Sequence, residues 1–72
     1  MNTVEYKCRL RVILAEKEIK HGDFAKQINT SAAAFSSIVN NHTLPSFETT
    51  YKISEVLEMD IKEIWVRIRN DL

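Results

Sequence analysis

The stretch "FAKQINTSAAAFSSIV", residues 24–39, holds two apolar sets on either side of a short polar hinge. Phe24, Ala25 and Ile28 recur at helical spacing, and so do Phe35, Ile38 and Val39. Asn29 tolerates left-handed dihedrals better than most residues, and Ser31 is a favoured helix N-cap. Two helices meeting at a sharp angle need a small residue where they touch, and Ala25 supplies it. On steric grounds the stretch predicts a helix-turn-helix, occupying about residues 21–40.

The same periodicity extends outward in both directions. Leu10, Ile13, Leu14 and Lys17, preceded by Tyr6, fall on one stripe and predict a first helix. The second helix is expected from about Gly22 to Ile28, and Ser31 opens the third. Pro45-Ser46 punctuates the chain. Ser46 then caps a fourth helix with Phe47, Ile53 and Leu57 inward. Asp60 caps a fifth, and Glu63 three residues on completes a capping box. Ile61, Ile64, Trp65, Ile68 and Leu72 continue as an apolar helical stripe. Ile61 and Ile64 read as core and Trp65 is expected to close its bottom, with Ile68 and Leu72 left over for a second copy.

Composition agrees with this outline. A 72-residue chain supports one domain. Its single Gly and single Pro provide little hairpin chemistry, so the expected fold is all-α, a compact five-helix bundle. Cys8 has no partner for an intrachain disulfide, which suits a reducing compartment and places the chain in the cytoplasm. No apolar run approaches a membrane span, and the charged N-terminus does not suit a signal peptide. Cys8 itself reads as a small helix residue.

Net charge is zero, but its distribution is uneven. Residues 1–45 carry six Lys/Arg against four Asp/Glu, whereas residues 46–64 carry two against five. The first half is thereby oriented toward an anionic partner, although ordinary solvated helix faces explain the same pattern. His21, His42 and Cys8 match no common metal-ligand spacing, and no cofactor is expected. Paired carboxylates, a Gly-rich loop and a nucleophile–base arrangement are all lacking, and His21 beside Asp23 is a chance neighbourhood. The sequence therefore gives no support to an enzyme or to a small-molecule site.

The run "FAKQINTSAAAFSSIVNNHTLPSFETTYKISEVLEMDIKEIW", extended back to Leu10, resembles the Cro-type or XRE-type helix-turn-helix family of phage and bacterial regulators. Ala25, Ser31, Asn40, the Pro45-Ser46-Phe47-Glu48-Thr49 run and the closing Leu57…Ile61-Lys62-Glu63-Ile64-Trp65 carry the resemblance. It implies a lambda-repressor-like domain over residues 6–65, with 66–72 as a helical extension or tail. The implied partner is operator duplex DNA, bound by a two-fold dimer.

Three departures stand out. Where the family often has Gly, this chain has Glu18, Asn29 and Asn41; the two Asn keep left-handed turns feasible, while Glu18 is harder to accommodate. A favoured Thr-Gln at the start of the second helix is Lys20-His21 here. The family's buried Arg–Glu pair corresponds to Leu14 and Val39. Losing one partner alone would strand a charge at about 3–5 kcal/mol, whereas apolar replacement of both is tolerated. Leu14 is accordingly expected to pack on Val39.

The resemblance sends the outward face of the third helix, Ala32, Ala33, Ser36, Ser37 and Asn40, into the major groove. That face lacks bidentate side chains worth about 1–3 kcal/mol of discrimination each. Positioning is expected from its margins: His21, Gly22 and Ser31 at the helix starts, and Asn40, Asn41, His42 and Thr43 behind the third helix. Lys7, Arg9 and Lys20 are candidates for further phosphate contacts. The leading expectation is a small transcriptional regulator, a repressor that occupies its operator. A dimer through a last helix bearing Trp65, Ile68 and Leu72 would set the third helices about 34–36 Å apart. The alternative is a protein-interaction module that keeps the fold without reading DNA.

Overall fold

A computed structural model describes residues 4–69. Along the chain lie β1 (Val4–Cys8), α1 (Leu10–Glu16), α2 (His21–Gln27), α3 (Ala32–Val39), α4 (Phe47–Leu57), α5 (Ile61–Ile64) and β2 (Trp65–Arg69). All five expected helices form. They surround one core in which Leu10, Leu14, Phe24, Phe35, Ile53 and Ile64 are sealed from solvent. Leu14 and Val39 belong to that same core cluster, an apolar pair where a buried ion pair would otherwise need mutual compensation.

The caps form where short polar residues were expected. Ser31 Oγ accepts from the Ala34 amide at 3.1 Å, and Ser46 Oγ from the Thr49 amide at 3.2 Å. Asp60 and Glu63 make the reciprocal capping box. Helix ends are equally regular. Glu18, Asn29 and Asn41 take positive φ of 57°, 60° and 66°. At each end, the residue after the left-handed one donates its amide back into the last turn: Ile19 to Leu14, Thr30 to Ala25 and His42 to Ser37, all at 2.9 Å. Glu18 thus occupies the left-handed position despite its side chain, and Glu58 does the same after α4 with φ 54°. Gly22 lies within α2 and has an ordinary φ.

The fold is not strictly all-α. β1 and β2 pair antiparallel, with Cys8 opposite Trp65, Lys7 opposite Val66, Tyr6 opposite Arg67 and Glu5 opposite Ile68. The stripe read as a helix past Trp65 is therefore a strand. α5 stops after four residues, and Trp65 turns to extended dihedrals of φ −111°, ψ 108°. From there Val66-Arg67-Ile68-Arg69 alternates apolar and charged residues, and "VEYKC" alternates in the same manner. Neither segment shows its nature alone, because a strand gains its backbone partners only from a segment at the far end of the chain. Tyr6 and Cys8 accordingly belong to β1 and not to a first helix.

Two inward assignments also change. Phe47 is 79% exposed at the first position of α4. Six residues separate it from Ile53, which leaves it about a third of a turn off the buried Ile53–Leu57 face. Ile61 is 37% exposed and only Ile64 of that pair is buried. Trp65, with 7% exposure, closes the core as expected, but from a strand. Leu72 lies outside the described residues.

Candidate nucleic-acid interface

The α2–α3 angle is fixed by aromatic packing from beneath. Phe24 and Phe35 stack at a tilt with ring centroids 5.5 Å apart, and the His21 ring meets Phe35 edge-on at 6.0 Å. Ala25, almost fully buried, permits the close approach of the two helices. His21, Gly22, Ala32, Phe35 and Ser36 enclose a small cleft of about 50 Å³, which brings the starts of α2 and α3 together on one side. At the start of α2, Lys20 provides no side-chain cap, so the first amides of that helix stay open.

Ala32, Ala33, Ser36 and Asn40 are exposed, Ser37 is half-buried, and Ala34 adds a further exposed methyl that the sequence reading omitted. This face is narrow in chemistry but not passive. Asn40 Nδ2 donates to Ser36 Oγ at 3.2 Å, and Thr43 Oγ1 donates to Ser37 Oγ at 3.2 Å. A serine hydroxyl has one hydrogen and two acceptor sites. With an acceptor site engaged by the Asn40 amide, Ser36 keeps its O–H to offer outward, whereas in the Thr43–Ser37 pair either hydroxyl can donate. Ser36 is thus biased toward donation.

Asn40 is the junction of the site. Its Oδ1 accepts from an Nη of Arg11, so its orientation is set from both ends of the amide. Arg11 stands on α1 and was absent from the sequence-derived set. Its signal was weak: one cation on the solvated side of an amphipathic helix, with its partner 29 residues away. The contact holds a guanidinium beside the carboxyl end of α3, where the helix dipole favours positive charge. Arg9 goes elsewhere. Its side chain donates to the Glu63 carbonyl at 3.3 Å and its amide to Ile64, which ties α1 to α5.

Among the other expected residues, His21, Gly22, Asn41, His42 and Thr43 are all exposed. Ser31 is engaged chiefly as the cap of α3. Asn41, His42 and Thr43 line an open cleft of about 370 Å³ that they share with Glu5, Tyr6 and Leu44. Lys20 is exposed beside His21, while Lys7 sits on β1, on the face opposite Cys8. Cys8 is buried, and desolvation pushes its thiol above the ordinary value of 9.0 even though a backbone hydrogen bond from Leu10 opposes the shift. It acts as a small apolar residue. Among the described residues, no three His, Cys, Asp or Glu side chains gather into a metal-binding group. Nor is any helix there long and apolar enough to cross a membrane.

No curated protein matches the chain. A family match, by contrast, covers residues 9–70, running through all five helices and β2. The chain belongs to the Cro/C1-type HTH DNA-binding domain family.

Proposed function

We propose that this DNA-binding domain is a sequence-dependent transcriptional regulator that represses by occupying an operator, acting in the cytoplasm of a bacterium that carries it or a phage. α3 enters the major groove, and its small side chains bring the backbone close to the base edges. The observation that carries this reading is the hydrogen-bonded chain Arg11–Asn40–Ser36, which links a cation to the exposed α3 face. Arg11 and the amides at the starts of α2 and α3 hold phosphates, together with His21, Asn41, His42 and Thr43. Ser36 and Ser37 donate to bases, while Ala32 and Ala33 touch thymine methyls.

Binding on these terms is modest in affinity and steep in salt, because phosphate contacts release counterions. The test is a duplex-binding series at rising salt, run on many sequences with two variants. Asn40→Ala should weaken all duplexes alike, since it frees Arg11 from its position. Ser37→Ala should change preference at one base step. Identical preference profiles for the two variants would contradict this division of labour.

A second reading, a module that engages a protein, rests on the side of the domain bearing α4. Phe47 and Tyr51 are 79% and 55% exposed with ring centroids 6.1 Å apart, and Leu44 is 63% exposed. Binding to no duplex at low salt by the folded protein would favour that reading.

A two-fold partner was expected through a C-terminal helix, but that segment is a strand and its Trp65 is buried. Ile68 of that strand is exposed, and Leu72 lies outside the described residues.

A further inference from the structure

Among the described residues, β1 and β2 form a sheet of two strands, and such a pair has two open edges. The orientation of the backbone on each strand follows from one hydrogen bond. The Arg9 amide donates to the Ile64 carbonyl at 2.8 Å, continuing the register in which Cys8 faces Trp65. In an antiparallel ladder, hydrogen-bonded and non-hydrogen-bonded pairs alternate. Lys7 and Glu5 therefore turn their amides and carbonyls toward β2, and Tyr6 turns its own outward. Among the described residues, no backbone hydrogen bond outside the ladder reaches Glu5, Tyr6 or Lys7. All three are exposed, and Glu5 and Tyr6 border an open cleft whose other wall is Asn41, His42, Thr43 and Leu44.

We propose that β1 pairs antiparallel with β1 of a second copy of this chain, about a two-fold axis at Tyr6, to give a continuous four-stranded sheet. Outward-facing Tyr6 can exchange both of its backbone hydrogen bonds with Tyr6 of the second copy. This register sets Glu5 opposite Lys7 of the other chain, and Lys7 opposite its Glu5, on one face of the sheet. Charge selects the register. An axis at Glu5 would oppose two glutamates, and an axis at Lys7 would oppose two lysines. The other edge is worse suited, since the corresponding axis on β2 sets Arg67 against Arg67. Two added strands also relieve the weakness of an isolated two-stranded pair. The contact does not depend on whether α3 reads DNA.

Sedimentation of the full chain across a concentration series, without DNA, tests it through a charge-swap cycle. The wild-type chain should dimerise. Lys7→Glu and Glu5→Lys should each weaken the dimer by about tenfold or more, as opposed unlike charges become like. The double variant E5K/K7E should return to near wild-type affinity. Both positions are exposed, and circular dichroism verifies that each variant is folded. A chain that is monomeric throughout the series, or a dimer indifferent to the single swaps, or one that the double swap fails to restore, would overturn the pairing. DNA binding is measured separately on the same variants, so a failed dimer contact and a failed DNA reading are told apart.

Discussion

The α2–α3 unit and the β1–β2 pair hold to the domain in different ways. α2 and α3 are bound to it along their whole length: Phe24, Ala25, Ile28, Phe35, Ile38 and Val39 all reach the core. Among the described residues, the strand pair is anchored at the Cys8–Trp65 end, while Tyr6, Val66 and Ile68 are each about 40% exposed. The first arrangement holds a surface rigid for presentation to a large rigid ligand. The second leaves an edge open for something flexible or symmetric to join. A small domain can thus divide rigidity and association between two parts of its structure.

The largest effects should fall where burial is deepest. Phe35→Ala removes the ring that both Phe24 and His21 pack against, at a cost of about 3–5 kcal/mol. In such a marginal chain that threatens the whole fold. Trp65→Ala should cost a similar amount but act first on the strand pair. Hydrogen exchange would then show β1 and β2 amides opening ahead of those in α2 and α3. Simultaneous opening of both regions would erase the proposed difference in anchoring.

The next effect runs in the opposite direction. Glu18 holds a left-handed conformation that costs a residue with a side chain about 1 kcal/mol. Glu18→Gly should raise stability by roughly that amount in a urea titration, offset in part by the larger entropy of the unfolded chain. No gain would mean that the turn after α1 is held without strain.

Arg11→Gln tests the functional half. Fold stability should change little, because the side chain is exposed. Affinity for duplexes should fall several-fold, and the slope of log affinity against log salt should decrease by about one. An unchanged slope would remove Arg11 from the phosphate contacts. The smallest effect concerns the anchored end of β1. Since burial raises the Cys8 pKa, its contribution is complete below the ordinary thiol value and is lost as pH rises through the raised one. Wild-type stability should therefore decline at alkaline pH more than that of Cys8→Ala.

This contrast also explains what could be read from the sequence. The α2–α3 unit writes its structure locally, with apolar residues at helical spacing, Asn29 at the turn and Ser31 at the cap. Asn41 likewise takes the left-handed turn expected of it, whereas Glu18, read as harder to accommodate, adopts the same conformation. The strand pair writes locally only a short apolar–charged alternation, too brief to outweigh helical spacing. Ile61, Ile64, Trp65 and Ile68 satisfy helical spacing as well as any helix, and only the pairing of Cys8 with Trp65 across the length of the domain decides the matter. Phe47 was misplaced for a related reason, as its hydrophobicity suggested burial that its position on α4 denies. In the candidate site, the exposed margins of α3 were named from their types and from family resemblance. Arg11 was not, since its role depends on a contact between α1 and α3 that no spacing records.

The central claim is that the plain Ala/Ser face of α3, steadied by Asn40 and Arg11, reads DNA. The most direct measurement is a selection from random duplex DNA by the purified protein at moderate salt, followed by sequencing of the bound pool. The account predicts enrichment of a two-fold symmetric site, with preference concentrated at the few steps within reach of Ser36 and Ser37. A pool that remains random after repeated selection, with the protein confirmed folded, would contradict it.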